Sequence, residues 1–228
     1  MPLANCELSE PPLGAVSWLD GLEPWQGMMG EVRMIACERV LYRDEDASEF
    51  IYVIRSGTFK LILGLADGRE QICGFRMAGE LLGLEGVGSG RYASSAVALE
   101  NAGICAISHA MLADHFADAN LMAAFNRQMS GEMKRDNALI MLLGGMSARG
   151  RVAGFLAGHS GRLKTLGYSP TEFHLRMSRA DIGSYLGLSL ETVSRAFTAL
   201  QSAKVLKVDK RHVMAIDLKG LQQIFEAG

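Results

Sequence analysis

Four side chains near the C-terminus have the types and spacing to read a polar surface. Glu191, Ser194, Arg195 and Thr198 recur at steps of three, one and three, which places them on one face of a helix. A guanidinium donates a fork of hydrogen bonds, a carboxylate accepts them, and the hydroxyls do either. A helix that packs on one side and offers this inventory on the other is built to read a polar surface. Leu190, Val193, Phe197 and Leu200 form a separate apolar stripe by which such a helix would pack.

The flanking residues position that helix. Ser178 and Asp181 make a capping box, with Asp in place of the usual Glu or Gln. Gly187 can take the left-handed conformation that ends a helix. Ser189 caps the next one and lies beside the reading face, so it joins the candidate DNA-binding residues. Gly183 lets the two helices approach closely, and Val193 plugs the space between them. The stretch 178–200 therefore reads as a helix-turn-helix. Two runs, Val205–Val208 and His212–Ile216, joined at 209–211, read as a two-stranded wing. Lys210 and Arg211 at its tip either reach phosphates or are ordinary solvated charges.

The rest of the chain divides by pattern. Residues 31–110 hold short β-rich runs bounded by Gly turns: Phe50–Ile54, Thr58–Leu65, Glu70–Phe75, Ala93–Leu99 and Ile104–Ile107. They predict a small antiparallel barrel or jelly roll. Residues 78–92 carry five Gly in fifteen positions and read as loop and turn, not as a phosphate cradle. Residues 118–145 predict a long helix. Met122, Asn126, Met129, Met133, Asp136, Ile140 and Leu143 alternate steps of four and three, a heptad seam that suits a dimer. Asp136 would face its copy across that seam and weaken it, or else swing to solvent or pair with Lys134 or Arg135 of the partner. Further helix is expected over Val152–Leu163. Residues 1–30 hold Trp18, Leu19, Leu22 and Trp25, as a docking helix or as a tail anchored by its tryptophans.

Charge divides the chain the same way. Residues 147–228 carry 12 Lys+Arg against 6 Asp+Glu, and residues 1–146 carry 11 against 19. A basic segment holding a helix-turn-helix is an electrostatic footprint for DNA. No apolar run reaches the ~18 residues of a membrane span. The N-terminus lacks the basic region of a signal peptide. The expectation is a cytoplasmic protein with no membrane partner. Cys6, Cys37, Cys73 and Cys105 show no CxxC spacing, and the five histidines show no metal-site spacing. No triad, paired carboxylates or metal motif supports an enzyme. A small-molecule-sensing barrel with secondary DNA binding is the alternative.

The order barrel, long helix, winged helix-turn-helix resembles the CRP/FNR family of bacterial transcription regulators, and within it the FNR branch. The residues that carry the resemblance are Ile54-Arg55-Ser56-Gly57-Thr58, Glu70-Gln71-Ile72 with Gly74-Phe75, Ala78-Gly79-Glu80-Leu81, Gly88-Ser89-Gly90, Met129-Ser130-Gly131-Glu132, Tyr168-Ser169-Pro170 with Glu172-Phe173, and the run from Asp181 to Arg195. It implies an α+β chain: an N-terminal segment (1–30), a cyclic-nucleotide-binding-like sensor barrel (31–117), a dimerisation helix (118–145) and a DNA-binding domain (146–228). It also implies a homodimer on a TTGAT-N4-ATCAA palindrome, read through Glu191, Ser194 and Arg195, with RNA polymerase as a partner. Asp136 falls where the family has an acidic residue that opposes dimerisation.

The sensor departs from the pattern. Cys105 matches a cluster ligand in the barrel and is the candidate sensor residue, but the N-terminal cysteine trio of a 4Fe-4S regulator is missing. A family-type cluster is therefore not expected. Cyclic AMP is not expected either, because Ser94-Ser95 stand where its phosphate would need Arg-Ser. Haem stays open, with Cys105, His109, His115 and Pro2 as conceivable ligands. So does a cofactor-free regulator governed by its amount or by thiol oxidation.

Overall fold

A computed structural model describes residues 23–228 apart from Ala66 and Ala215. Trp18, Leu19, Leu22 and Cys6 lie outside the described residues. Trp25 sits in a 3-10 helix, Glu23–Met28, with its ring fully buried.

Eight strands then follow: β1 (Arg33–Ile35), β2 (Val40–Tyr42), β3 (Phe50–Ser56), β4 (Thr58–Gly64), β5 (Glu70–Met77), β6 (Leu81–Leu82), β7 (Ser95–Ala98) and β8 (Ala102–Ser108). They form two antiparallel sheets, ordered β1-β8-β3-β6 and β2-β7-β4-β5. Alternation decides what each face does. Along β3, Ile54 points between the sheets, where it meets Phe59, Leu61, Tyr92 and Ile104. Ile51 and Val53 point outward, to Trp25, Cys105, Ile107 and Leu121. The Gly-rich stretch 78–92 is not all loop. It holds β6 and a single helical turn, α1 (Gly86–Ser89), because β6 pairs with β3 at Tyr52–Leu82 and Val53–Leu81.

The barrel leads through α2 (His109–Asp114) into α3 (Ala119–Gly145), a helix of 27 residues. Asp118 caps α3 by accepting from Asn120 N at 2.8 Å. Leu121 and Ala124 of α3 pack on the outer face of the first sheet. Next come α4 (Ala148–Thr165), β9 (Phe173–His174), α5 (Arg179–Leu186), α6 (Leu190–Ser202), β10 (Lys207–Asp209), β11 (His212–Met214) and α7 (Leu218–Glu226). The helix α4 is longer than the expected Val152–Leu163, because Ser147 caps it by accepting from Gly150 N. The wing gains a third strand, in the order β10-β11-β9.

One ladder irregularity joins the two halves. Leu61 pairs with Gly74 and Ile62 with Ile72, so the β4–β5 ladder skips Cys73. A bulge of this kind resets the side-chain alternation. It lets Ile72 and Phe75 both join the C-terminal core, alongside Phe155, Leu186 and Phe197.

Candidate nucleic-acid interface

The helix-turn-helix closes as its residue types require. Asp181 N donates to Ser178 Oγ at 3.0 Å, and Ser178 N donates to Asp181 Oδ2 at 2.8 Å, completing the capping box. Gly187 ends α5 at φ 63°, ψ 39°. A Cβ on Gly183 would stand 2.6 Å from the Leu188 carbonyl oxygen and 3.5 Å from Val193, so the turn cannot close over a side chain there. Ser189 caps α6 by accepting from Thr192 N at 3.2 Å.

Val193, Phe197 and Leu200 are buried as the apolar stripe requires. Leu190 is not. It is 49% exposed, because at the first position of α6 its side chain points back past the partner helix. Glu191, Ser194, Arg195 and Thr198 are all exposed on one face. Ser194 Oγ donates to Leu190 O at 2.9 Å and Thr198 Oγ1 to Ser194 O at 3.1 Å, which leaves both hydroxyl oxygens able to accept. Arg195 Nη2 rests on Thr192 Oγ1 at 3.2 Å. The Glu191 carboxyl is held below its usual pKa by its own backbone N–H, then by Ser189 and Arg195.

Two arginines brace this surface. Arg179 lies over the Phe197 ring, 3.2 Å from its centroid, and donates to Lys210 O at 3.4 Å. Burial lowers its pKa to about 10, so it stays charged at neutral pH. Arg211 donates to Arg176 O at 3.1 Å. Lys210 is exposed at the wing tip.

The sequence-predicted seam on α3 divides in two. Met133 and Ile140 stand 64% and 66% exposed, and Leu143 is exposed at 39%. Met122 is half-buried, and Met129 leans on the barrel core. Asp136 is exposed beside a cavity between α3 and α4.

Sequence reasoning missed the connections between barrel and reader. Lys60 Nζ of β4 contacts Asp181 Oδ1 at 2.8 Å, and Ile72 N donates to Ser184 Oγ at 2.9 Å. Gln71 Nε2 donates to Ser184 O. Arg176 pairs with Glu100 at 3.1 Å. Arg162 of α4 pairs with Glu80 at 2.6 Å, and Arg76 forms a two-point pair with Glu132 of α3. Burial works to raise the Glu80 pKa, but Arg162, Arg135 and Arg76 outweigh it and hold the carboxyl below the usual range. Gln71, Ile72, Glu80, Glu132 and Ser184 fall in the stretches that carry the family resemblance, but of these contact residues only Asp181 had a structural role legible in sequence, its cap.

The described cysteines do not converge on a cluster. Cys37 is exposed and donates to Leu99 O, Cys73 donates to Leu61 O across β4–β5, and Cys105 is buried on the other sheet opposite Val53. Burial pushes the Cys105 thiol up, although Arg55 works against it. Among the described residues no three His, Cys, Asp or Glu are placed to hold a metal. His115 Nδ1 is engaged with Met111 O at 2.8 Å, and His109 Nε2 stands 3.4 Å from Ser48 Oγ. The barrel interior does not fit a cyclic nucleotide. Tyr42 and Tyr92 stack at 3.8 Å, and Ser94 donates to the exposed Glu85, so a phosphate would meet a carboxylate.

A family model described as Crp-like helix-turn-helix domain matches residues 150–224, and one described as cyclic nucleotide-binding domain matches residues 32–119. The transcriptional regulatory protein btr of Bordetella pertussis is 40% identical over 188 residues, covering 82% of this chain and 77% of that one. The chain belongs to the CRP/FNR family of transcription regulators. The fumarate and nitrate reduction regulatory protein of Escherichia coli K12 is 39% identical over 187 residues, covering 82% of this chain and 75% of its own. The solved structure of FixK2 from Bradyrhizobium japonicum shares the fold at TM-score 0.77 and 28% identity, over 85% of this chain and 96% of that one. This CRP/FNR-family chain is a DNA-binding regulator and not an enzyme. Among the described residues no helix is long and apolar enough to cross a membrane.

Proposed function

We propose that the chain acts in the cytoplasm as a homodimer on an FNR-like palindrome, TTGAT-N4-ATCAA, and contacts RNA polymerase there. The observation that carries this reading is the α6 face, where Glu191, Ser194, Arg195 and Thr198 stand exposed over a buried apolar back. Arg195 takes guanine O6 and N7, Glu191 a cytosine amino group, and Ser194 a neighbouring base edge. Ser189 serves this surface as a cap, since its hydroxyl is already held by Thr192. Two copies of α6 must lie about 34 Å apart to meet successive major grooves. The α3 seam sets that distance: Met133 and Ile140 are large apolar side chains left open to water, and a second α3 covers them. The working units are the barrel at 31–117, the seam helix at 118–145 and the reader at 146–228.

The test is fluorescence anisotropy with the palindrome and with a duplex whose two guanines are exchanged. Wild type should prefer the palindrome, and Arg195→Ala should lose roughly 1–3 kcal/mol of that preference per half-site. Equal affinity of wild type for both duplexes would sink the reading.

A further inference from the structure

A half-open cavity of about 240 Å³ lies where β5, α3, α4 and α5 meet. Its apolar wall is built by Phe75, Leu139, Leu142, Phe155 and Tyr185, one contribution or more from each of the four elements. Its polar wall is built by Arg76, Arg135 and Arg162. These three guanidiniums share only two carboxylates. Arg76 and Arg135 both bond Glu132, the latter at 2.7 Å, while Arg135 and Arg162 both bond Glu80, at 3.3 and 2.6 Å.

One positive charge is therefore left over. His159 also lines the cavity but adds no charge, because burial and Arg162 push its pKa down to about 3. Lys134 and Asp136, both exposed, line it too and offset each other. Hydrogen bonding is as incomplete as charge: Arg135 Nε and Arg162 Nε are buried without a partner.

We propose that this cavity binds a small apolar monocarboxylate. Its carboxylate lies against Arg162 and Arg135, and its hydrocarbon body lies between Phe75, Phe155 and Tyr185. One carboxylate brings the cluster to neutrality and accepts charge-assisted hydrogen bonds from the guanidiniums that line the cavity. A phosphate dianion would overshoot the single surplus charge and leave the aromatic wall unused. The cavity has room for a compact acid. The cavity is distinct from the barrel interior. Because it touches the barrel, α3 and the DNA-binding domain together, its occupant bears on how they are held. The inference does not depend on the palindrome or on the dimer.

Isothermal titration calorimetry of the full chain tests it, with 2-naphthoate as the probe and the uncharged 2-naphthamide as its isostere. Wild type should bind naphthoate saturably at one site per chain and the amide at least ten-fold more weakly. Arg162→Gln should weaken naphthoate binding at least ten-fold. Gly158→Leu should abolish it by filling the cavity, since a Cβ on Gly158 meets no atom within 4 Å and leucine favours the helix. That variant keeps the test decisive if Arg162→Gln fails to fold. Absence of naphthoate binding at millimolar concentration, equal binding of the amide, or wild-type binding by Gly158→Leu would each overturn the proposal.

Discussion

Acid should loosen this protein through one histidine. The His159 ring is 7% exposed, stacked on Phe155 at 6.1 Å and edge-on to Phe173 at 5.2 Å. Burial, and then the Arg162 charge, push its pKa down to about 3. In the unfolded chain it titrates near ~6.5. Between those two values the unfolded chain takes up a proton that the folded chain refuses. Stability is thus full above about pH 6.5 and falls as the pH drops toward 3. From about pH 7 to about pH 5, one such group removes roughly 1.9 kcal/mol by proton linkage. Urea unfolding at both pH values, followed by circular dichroism, reads this directly. The His159→Leu variant is the control, since it keeps the same carboxylates and loses only the titrating ring. Wild type should lose about 2 kcal/mol more than the variant over that interval. If both proteins lose the same amount, His159 is not buried neutral and the reasoning fails.

Other perturbations follow from the geometry. Gly183→Ala should destabilise the DNA-binding domain by on the order of 2 kcal/mol, because its Cβ meets backbone and not a movable side chain; an unchanged thermal midpoint would count against the close turn. Ile140→Asp should weaken the dimer, and Asp136→Leu should strengthen it, as read by sedimentation at matched concentration; if neither moves the monomer–dimer equilibrium, the seam lies elsewhere. In the arginine cluster, Glu132→Gln should cost about 3 kcal/mol, more than Arg162→Gln, because the first strands the buried Arg76 while the second removes the surplus charge. Chemical denaturation of the two variants ranks them, and the reverse order would show that the cluster is not cation-rich.

Local signals in the sequence carried well into the structure. Spacing located α6 and its polar face, Gly187 located the turn that ends α5, and Ser178 with Asp181 located a cap. These features depend on residues within a few positions of one another. Leu190 misled because periodicity assigns a face without knowing where the partner helix ends. The long-range pairs had no such signal. Lys60 meets Asp181 across 121 positions, and Arg76 meets Glu132 across 56. Each would read from sequence as a solvated charge, since a charge buried by pairing looks the same until the fold brings its partner. The bulge at Cys73 was equally silent, yet it decides that Ile72 and Phe75 face the reader.

That bulge makes β5 a member of two cores. Gly74 pairs with Leu61 in the barrel ladder, while Ile72 and Phe75 on either side of it belong to the C-terminal core. The β5 backbone also holds α5: the Ile72 amide donates to the Ser184 hydroxyl, and the Gln71 side chain donates to the Ser184 carbonyl. Ser184 follows Gly183, whose missing Cβ sets the distance from α5 to the turn and to Val193 of α6. Asp181 completes the connection by capping α5 and accepting from Lys60 on the neighbouring strand. A movement of β5 therefore cannot leave α5 unmoved unless these hydrogen bonds break, and their loss would expose Phe75 and Ile72 to water. At about 25 cal/mol per Å² of apolar surface, uncovering two such side chains costs several kcal/mol. The barrel and the reader are thus coupled by contacts worth several kcal/mol together. A signal that separates them must replace those contacts with others of similar worth.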